Sequence, residues 1–181
     1  MIFLLAGCLH PQVAPTVAPS TPLRPKNVIL FIGDGMGPQQ IGLLQLYARR
    51  APGSKIQTTS FDRLGQQGSM ALSMHDPAHY LITDSACSAT QLALGQSAPV
   101  EAVGVDADGH PQPTVLERAQ ERGLAVGLVS DTRITHATPA SFASHVGFRG
   151  NENSIAEQLL EQKPDVLLSG CLLYTSDAAD E

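Results

Sequence analysis

Three short apolar runs stand out along the chain: residues 27–32, 125–130 and 165–168. They are rich in Val, Ile and Leu and lack the strict alternation of a strand with one wet face, so they predict buried strands of a mainly parallel sheet. Between them the apolar spacing turns helical. Ile41, Leu44, Leu46 and Tyr47 supply an apolar face over residues 38–50, with Arg49 and Arg50 in the last turn. Residues 51–54 break that helix, residues 61–64 make a short helical turn, and residues 68–75 alternate like a half-buried strand. A helix over 85–94 closes at Gly95. Residues 99–113 read as loop, with an Asp-Ala-Asp-Gly turn at 106–109. Thr114 followed by Glu117 is a capping-box pattern for a helix over 114–121, and further helices are expected near 139–147 and 154–162. Strands alternating with helices predict an α/β layered sandwich, a mainly parallel sheet flanked by helices, with right-handed crossovers. No internal repeat is present.

Composition narrows this little. A hydrophobic fraction of 43% with 15% charged residues, over 181 residues, suits one globular core. The balance of 11 basic against 17 acidic side chains argues against nucleic acid as a partner.

The two ends read differently from the middle. Leu5-Ala6-Gly7-Cys8 resembles a bacterial lipobox, so residues 1–8 are read as a partial lipoprotein signal peptide with a lipid anchor expected at Cys8. Residues 9–26 carry five prolines among Ala, Val, Ser and Thr, the composition of an extended tether. Residues 171–181 look like the translation of a sequencing adapter, a non-native tail. Without its Asp177, Asp180 and Glu181, 14 of the 17 acidic residues remain against 11 basic ones, a balance of −3. Of the three cysteines only Cys87 then belongs to the folded region, so no disulfide framework is expected within it.

The candidate chemistry gathers where the apolar runs end. Asp34 follows residues 27–32 inside Gly33-Asp34-Gly35-Met36-Gly37, which places a carboxylate at the carboxyl end of a strand, where open α/β sheets bind ligands. Gly33, Gly35 and Gly37 do not give G-x-G-x-x-G, because Pro38 and Gln40 fall at the wrong places. An aspartate at the centre of an anion cradle would repel phosphate unless a cation intervened, so the frame points to a metal. Ser85, in Thr83-Asp84-Ser85-Ala86, lies in the first turn of a helix, where free N–H groups and the dipole favour an anion. It is a candidate nucleophile, and equally an ordinary residue beside a helix cap. Thr135-His136-Ala137-Thr138-Pro139 follows the run 125–130 after a short loop; His136 and Thr138 offer nitrogen and oxygen to a cation, or simply cap a helix. Arg149 offers a planar fork for phosphate, or is a solvated charge. His75 and His79 have a ligand-like spacing, but Pro77 between them argues against the helix it would need.

Together, Ile32-Gly33-Asp34-Gly35-Met36-Gly37, Thr83-Asp84-Ser85-Ala86 and Thr135-His136-Ala137-Thr138-Pro139, with His145-Val146 and Arg149, resemble the N-terminal portion of the alkaline phosphatase family over residues 27–170. The resemblance implies hydrolysis of phosphate monoesters, with Ser85 attacking phosphorus as a zinc-stabilised alkoxide to form a phosphoserine. It implies that Arg149 clamps the non-bridging oxygens, that Asp34 bridges a zinc ion and the magnesium site, and that Thr138 serves magnesium. His136 occupies a position that varies between aspartate and histidine in that family, acting on metal directly or from behind its ligands. Two Zn²⁺ and one Mg²⁺ are expected in the complete protein, in the periplasm and anchored to the membrane as a lipoprotein, with a homodimer among the open expectations. The remaining metal ligands of the family lie in a second half that this chain lacks, so the chain as written is expected to be inactive. A phosphodiesterase of the same superfamily and a non-catalytic surface lipoprotein are the alternatives. Ser85-Ala86-Cys87-Ser88-Ala89 lacks the sulfatase setting.

Overall fold

The computed structural model describes residues 25–63 and 82–170. Helices α1, α3 and α4 each begin where a side chain or a proline disposes of the first free N–H groups. Helix α1 (Pro38–Arg50) has proline at its first position, and Gln40 Oε1 accepts from the Gly37 N–H at 2.9 Å. Helix α2 (Ser60–Arg63) is a single turn. Helix α3 (Ser85–Leu94) is capped by Asp84, whose carboxylate accepts from the N–H groups of Ala86 and Cys87 at 3.2 and 3.0 Å. It ends at Gly95, left-handed at φ 74°, whose N–H returns to the Gln91 carbonyl. Helix α4 (Val115–Gln120) carries the expected capping box: Thr114 Oγ1 accepts from the Glu117 N–H at 3.1 Å, and Glu117 Oε2 accepts from the Thr114 N–H at 2.7 Å. Strand β1 (Gly127–Ser130) leads to the one-turn helix α5 (Ala137–Ala140), helix α6 (Glu152–Gln162) and strand β2 (Val166–Ser169).

Strands β1 and β2 pair in parallel, Gly127 opposite Val166 and Ser130 opposite Ser169, with α5 and α6 in the crossover. The result is an α/β arrangement with a parallel sheet flanked by helices. Leu128 and Leu167 face the core, where they meet Ile155 and Leu159 of α6, Leu116 of α4, and Phe142. Helices α3 and α5 pack on each other through Ala86, Ala93, Ala137 and Ala140, and these small side chains let the backbones approach closely. Close backbones leave room for buried hydroxyls. Thr90 Oγ1 lies 3.1 Å from both Ser141 Oγ and the Ala102 carbonyl, and Ser144 donates to the Ala140 carbonyl, so these buried groups are all satisfied.

Several expectations need correction. Residues 27–32 carry no strand, and Val28 and Phe31 are 82% and 85% exposed. A strand exists through its ladder, and one run by itself supplies none. Residues 99–113 hold no helix or strand, as expected, yet the loop is pinned: Val103 and Val146 exchange backbone hydrogen bonds at 2.9 Å in both directions, Val105 bridges Pro111, and Ala102, Val103 and Val105 are buried. The helix expected near 139–147 shrinks to α5, with residues 141–143 continuing only as tight turns before Val146 bridges Val103. The expected strand over 68–75, with His75 and His79, lies outside the described residues, as do residues 1–24 and 171–181. Among the described residues no helix is long and apolar enough to cross a membrane.

Candidate active site

Ser85 is the first residue of α3, directly after the Asp84 cap. Its position follows from the cap, since a carboxylate that binds the second and third N–H groups of a helix holds the first residue out at the rim. There Arg149 reaches it: Nη1 donates to Ser85 Oγ at 2.7 Å and lies 3.4 Å from Asp84 Oδ2. The other guanidinium nitrogen, Nη2, is 3.1 Å from His136 Nε2. A guanidinium has no acceptor, so His136 Nε2 accepts, and His136 is neutral at that nitrogen. Its pKa is lowered, chiefly by burial and then by the Arg149 charge, with Asp34 pulling the other way. His136 Nδ1 is buried without a hydrogen-bond partner.

A second pair closes the group. Thr138 Oγ1 donates to Asp34 Oδ2 at 2.8 Å across 104 residues of sequence. His136 caps α5 and Thr138 lies within it, so the loop from β1 to α5 delivers both. That loop is itself tied down: Arg133 Nε and Nη2 bind the two Glu152 oxygens at 3.0 and 2.6 Å, and Thr135 Oγ1 donates to Glu152 Oε2 at 2.6 Å. These bonds, the Arg133 ones foremost, hold the Glu152 carboxyl at a pKa of about 2. The structure therefore places Ser85, Arg149 and His136 in one hydrogen-bonded group and joins Asp34 to Thr138.

Asp34 and Thr138 offer a carboxylate and a hydroxyl oxygen, the hard donors that Mg²⁺ prefers, and His136 offers a neutral imidazole of the kind that Zn²⁺ takes. The donor set fits such ions in type and falls short in number. Among the described residues only Asp106, Asp108 and His110 bring three metal-ligating side chains together, on a mostly exposed turn with no part in the Ser85 group. An open cavity of about 420 Å³ lined by Glu117, Gln120, His145 and Gln162 also contains none of that group.

From sequence Asp84 reads only as an ordinary cap, and Thr135, Glu152 and the backbone of Glu101 carry no sign of a part in the site. The signal for Asp84 was its place between a threonine and the serine at a helix start. Glu101 and Glu152 give none, because their contacts join positions 17 apart in the chain.

The alkaline phosphatase family model matches residues 25–173. Alkaline phosphatase 3 of Bacillus subtilis is 41% identical over 153 residues, covering 80% of this chain and 32% of that protein. The cold-active alkaline phosphatase of a psychrophilic Shewanella superposes with a TM-score of 0.66 at 34% identity, over 75% of this chain and 33% of the other. A variant of the alkaline phosphatase from the Antarctic bacterium TAB5, described with Mg bound, gives 0.62 at 30% identity, over 74% of this chain and 36% of that one. The chain spans about a third of the length of the relatives it matches.

Proposed function

This chain belongs to the alkaline phosphatase family, and we propose on that footing that the complete protein hydrolyses phosphate monoesters through Ser85. The observation that carries the reading is the 2.7 Å contact between Arg149 Nη1 and Ser85 Oγ at the amino end of α3. A tetrahedral phosphoryl group brought to Ser85 Oγ would meet two favourable fields, the helix N-terminus and the guanidinium. Ser85 Oγ forms a bond to phosphorus as the ester oxygen leaves, and water then cleaves the phosphoserine and returns the hydroxyl. Arg149 binds two non-bridging oxygens through its fork, and Asp84 and the His136 nitrogen hold that fork in place.

Asp34 and Thr138 are the residues here that would hold Mg²⁺, with His136 beside them, and two Zn²⁺ complete the metal set of the whole protein. Bound divalent ions would supply charge stabilisation for the attacking and leaving oxygens. Among the described residues the donor set falls short in number, and we infer that residues 1–181 by themselves turn over little or nothing. The anchor at Cys8, the periplasmic location, the homodimer and the boundaries at residues 8, 26 and 170 belong to the same proposal.

The test uses the full-length gene product. Loss of p-nitrophenyl phosphate hydrolysis in Ser85→Ala, by about 10³-fold or more, together with recovery of phosphate on Ser85 after an acid quench, supports the mechanism. Unchanged hydrolysis in Ser85→Ala overturns it and favours a non-catalytic role with Ser85 as a helix-end residue.

A further inference from the structure

Two non-glycine residues among those described have positive φ, Glu101 at 63° and Lys163 at 51°. Lys163 follows α6 in the left-handed position where helices commonly end, so its conformation has a local cause. Glu101 ends no helix. Its strain needs another account, since a non-glycine residue held in this region persists only where its surroundings over-determine it.

The account lies in its two backbone groups. The Glu101 N–H donates to Asp84 Oδ1 at 3.3 Å, the same oxygen that takes the Cys87 N–H at 3.0 Å and so caps α3. The Glu101 carbonyl accepts from the Arg149 N–H at 2.7 Å. One residue therefore grips both the carboxylate beside Ser85 and the backbone of the arginine that reaches Ser85. Its neighbours fasten the bridge at each side. Val103 exchanges hydrogen bonds with Val146, the Gly104 N–H donates to Thr90 Oγ1 within α3, and Thr90 is 3.1 Å from the Ala102 carbonyl. With these anchors set, φ at Glu101 decides whether its N–H and its carbonyl can face Asp84 and Arg149 together. Rotation to the usual negative φ would turn one away from its partner.

We propose that Glu101 is a positioning residue whose left-handed backbone registers Asp84 against Arg149, and so sets the Arg149 guanidinium on the Ser85 hydroxyl. The proposal rests on the Ser85 reading above. It assigns the effect to the conformation of the main chain at position 101 and none to the Glu101 carboxylate. It also explains how a strained conformation persists here at a residue other than glycine: two separate segments, the α3 cap at Asp84 and the backbone at Arg149, hold it.

A graded series tests this in the full-length, metal-loaded gene product. Glycine and asparagine adopt positive φ readily, alanine less so, and β-branched valine least. Glu101→Val should lower kcat/KM for p-nitrophenyl phosphate by about tenfold or more and weaken inhibition by inorganic phosphate by a similar factor, because a guanidinium displaced by an ångström binds the dianion poorly. Glu101→Gly and Glu101→Asn should recover most of what valine loses, Glu101→Ala should fall between, and Glu101→Gly should raise Tm by relieving strain. Kinetics are expressed per folded molecule, and if Glu101→Val does not fold, the order glycine above alanine in phosphate affinity carries the test. Wild-type kinetics and phosphate inhibition across the whole series overturn the proposal. So does a Glu101→Gly variant as impaired as valine, which would give the role to the carboxylate. Ser85→Ala runs alongside: if it keeps activity, the hydrolytic reading fails, whereas an inactive Ser85→Ala beside a flat Glu101 series defeats only the positioning role.

Discussion

Gly104 shows how tightly the segment beneath the site is packed. Its φ is 63°, and a Cβ added there would lie 2.0 Å from the Ser144 carbonyl oxygen and 2.8 Å from His145 Nδ1. Backbone cannot yield as a flexible side chain does, so Gly104→Ala is expected to lose more than about 2 kcal/mol of stability, from steric overlap plus left-handed strain; urea unfolding of the two proteins side by side checks it. Asp84 is the contrasting case, where the loss is of attraction. Asp84→Ala removes the α3 cap, at about 1 kcal/mol, and also takes the carboxylate from Arg149. The expected outcome is a lower Tm together with weaker inhibition by inorganic phosphate. A lower Tm with phosphate inhibition unmoved would confine Asp84 to capping. The sequence marks Ser85 through its local pattern beside Asp84, whereas Arg149 stands as a lone arginine until the family resemblance gives it a role. The demand for glycine at position 104 comes from Ser144 and His145, some 40 residues onward, and could not be read locally.

Helix α4 is joined to the segment after α5 by one ion pair. His145 Nε2 lies 2.9 Å from Glu117 Oε1, and His145 Nδ1 lies 2.5 Å from the Gly104 carbonyl. Both ring nitrogens face acceptors, so the doubly protonated ring is favoured, and its pKa is raised above 6.5 by the Glu117 bond first and the Gly104 carbonyl after it. For Glu117, burial pushes upward but is outweighed by His145 and the Thr114 N–H, and its pKa falls below 4.5. The His145 contribution is complete below pH 6.5 and lost as pH rises through the raised value. The Glu117 contribution is complete above pH 4.5 and lost as pH falls through the lowered one. His145→Gln should therefore cost most stability between pH 4.5 and 6.5, about 1–2 kcal/mol, with the gap narrowing toward alkaline pH; chemical denaturation at several pH values reads this. A gap that stays constant to pH 9 would show that the ring acts uncharged. The α4 capping box behind this pair was legible in Thr114 and Glu117, as was the α3 stop at Gly95, because caps are signals written within four residues. The 99–113 segment is loop, as its composition predicts, and the turn at Asp106 is locally written, but its ties to Val146 and Thr90 lie outside its own turn residues and could not be read from them.

A parallel sheet is ordinarily covered on both faces, and among the described residues only one face of β1 and β2 is. Leu128 and Leu167 pack into the core, while Val129 and Leu168 on the opposite side are 73% and 60% exposed. Helix α1 likewise leaves Leu44, Leu46 and Tyr47 in solvent, and within residues 25–32 the apolar run is bare. The hydrophobic pattern had marked these residues as interior, which is where the three-strand expectation came from. The two-strand outcome reflects pairing that no single run can supply. Bare apolar surface on this scale associates with itself or with any apolar probe, because each buried CH₂ gains about 0.8 kcal/mol. The chain of residues 1–181, expressed alone, is therefore expected to bind a hydrophobic dye and to elute well above its 19.1 kDa mass, increasingly so at higher concentration. A gene product of the relatives' full length should bind far less dye per molecule if its further residues cover these faces. The measurement is size-exclusion with light scattering beside dye fluorescence on both proteins. A monodisperse 19.1 kDa species without dye binding would mean that residues 27–32, α1 and the outer sheet face find cover within the chain itself.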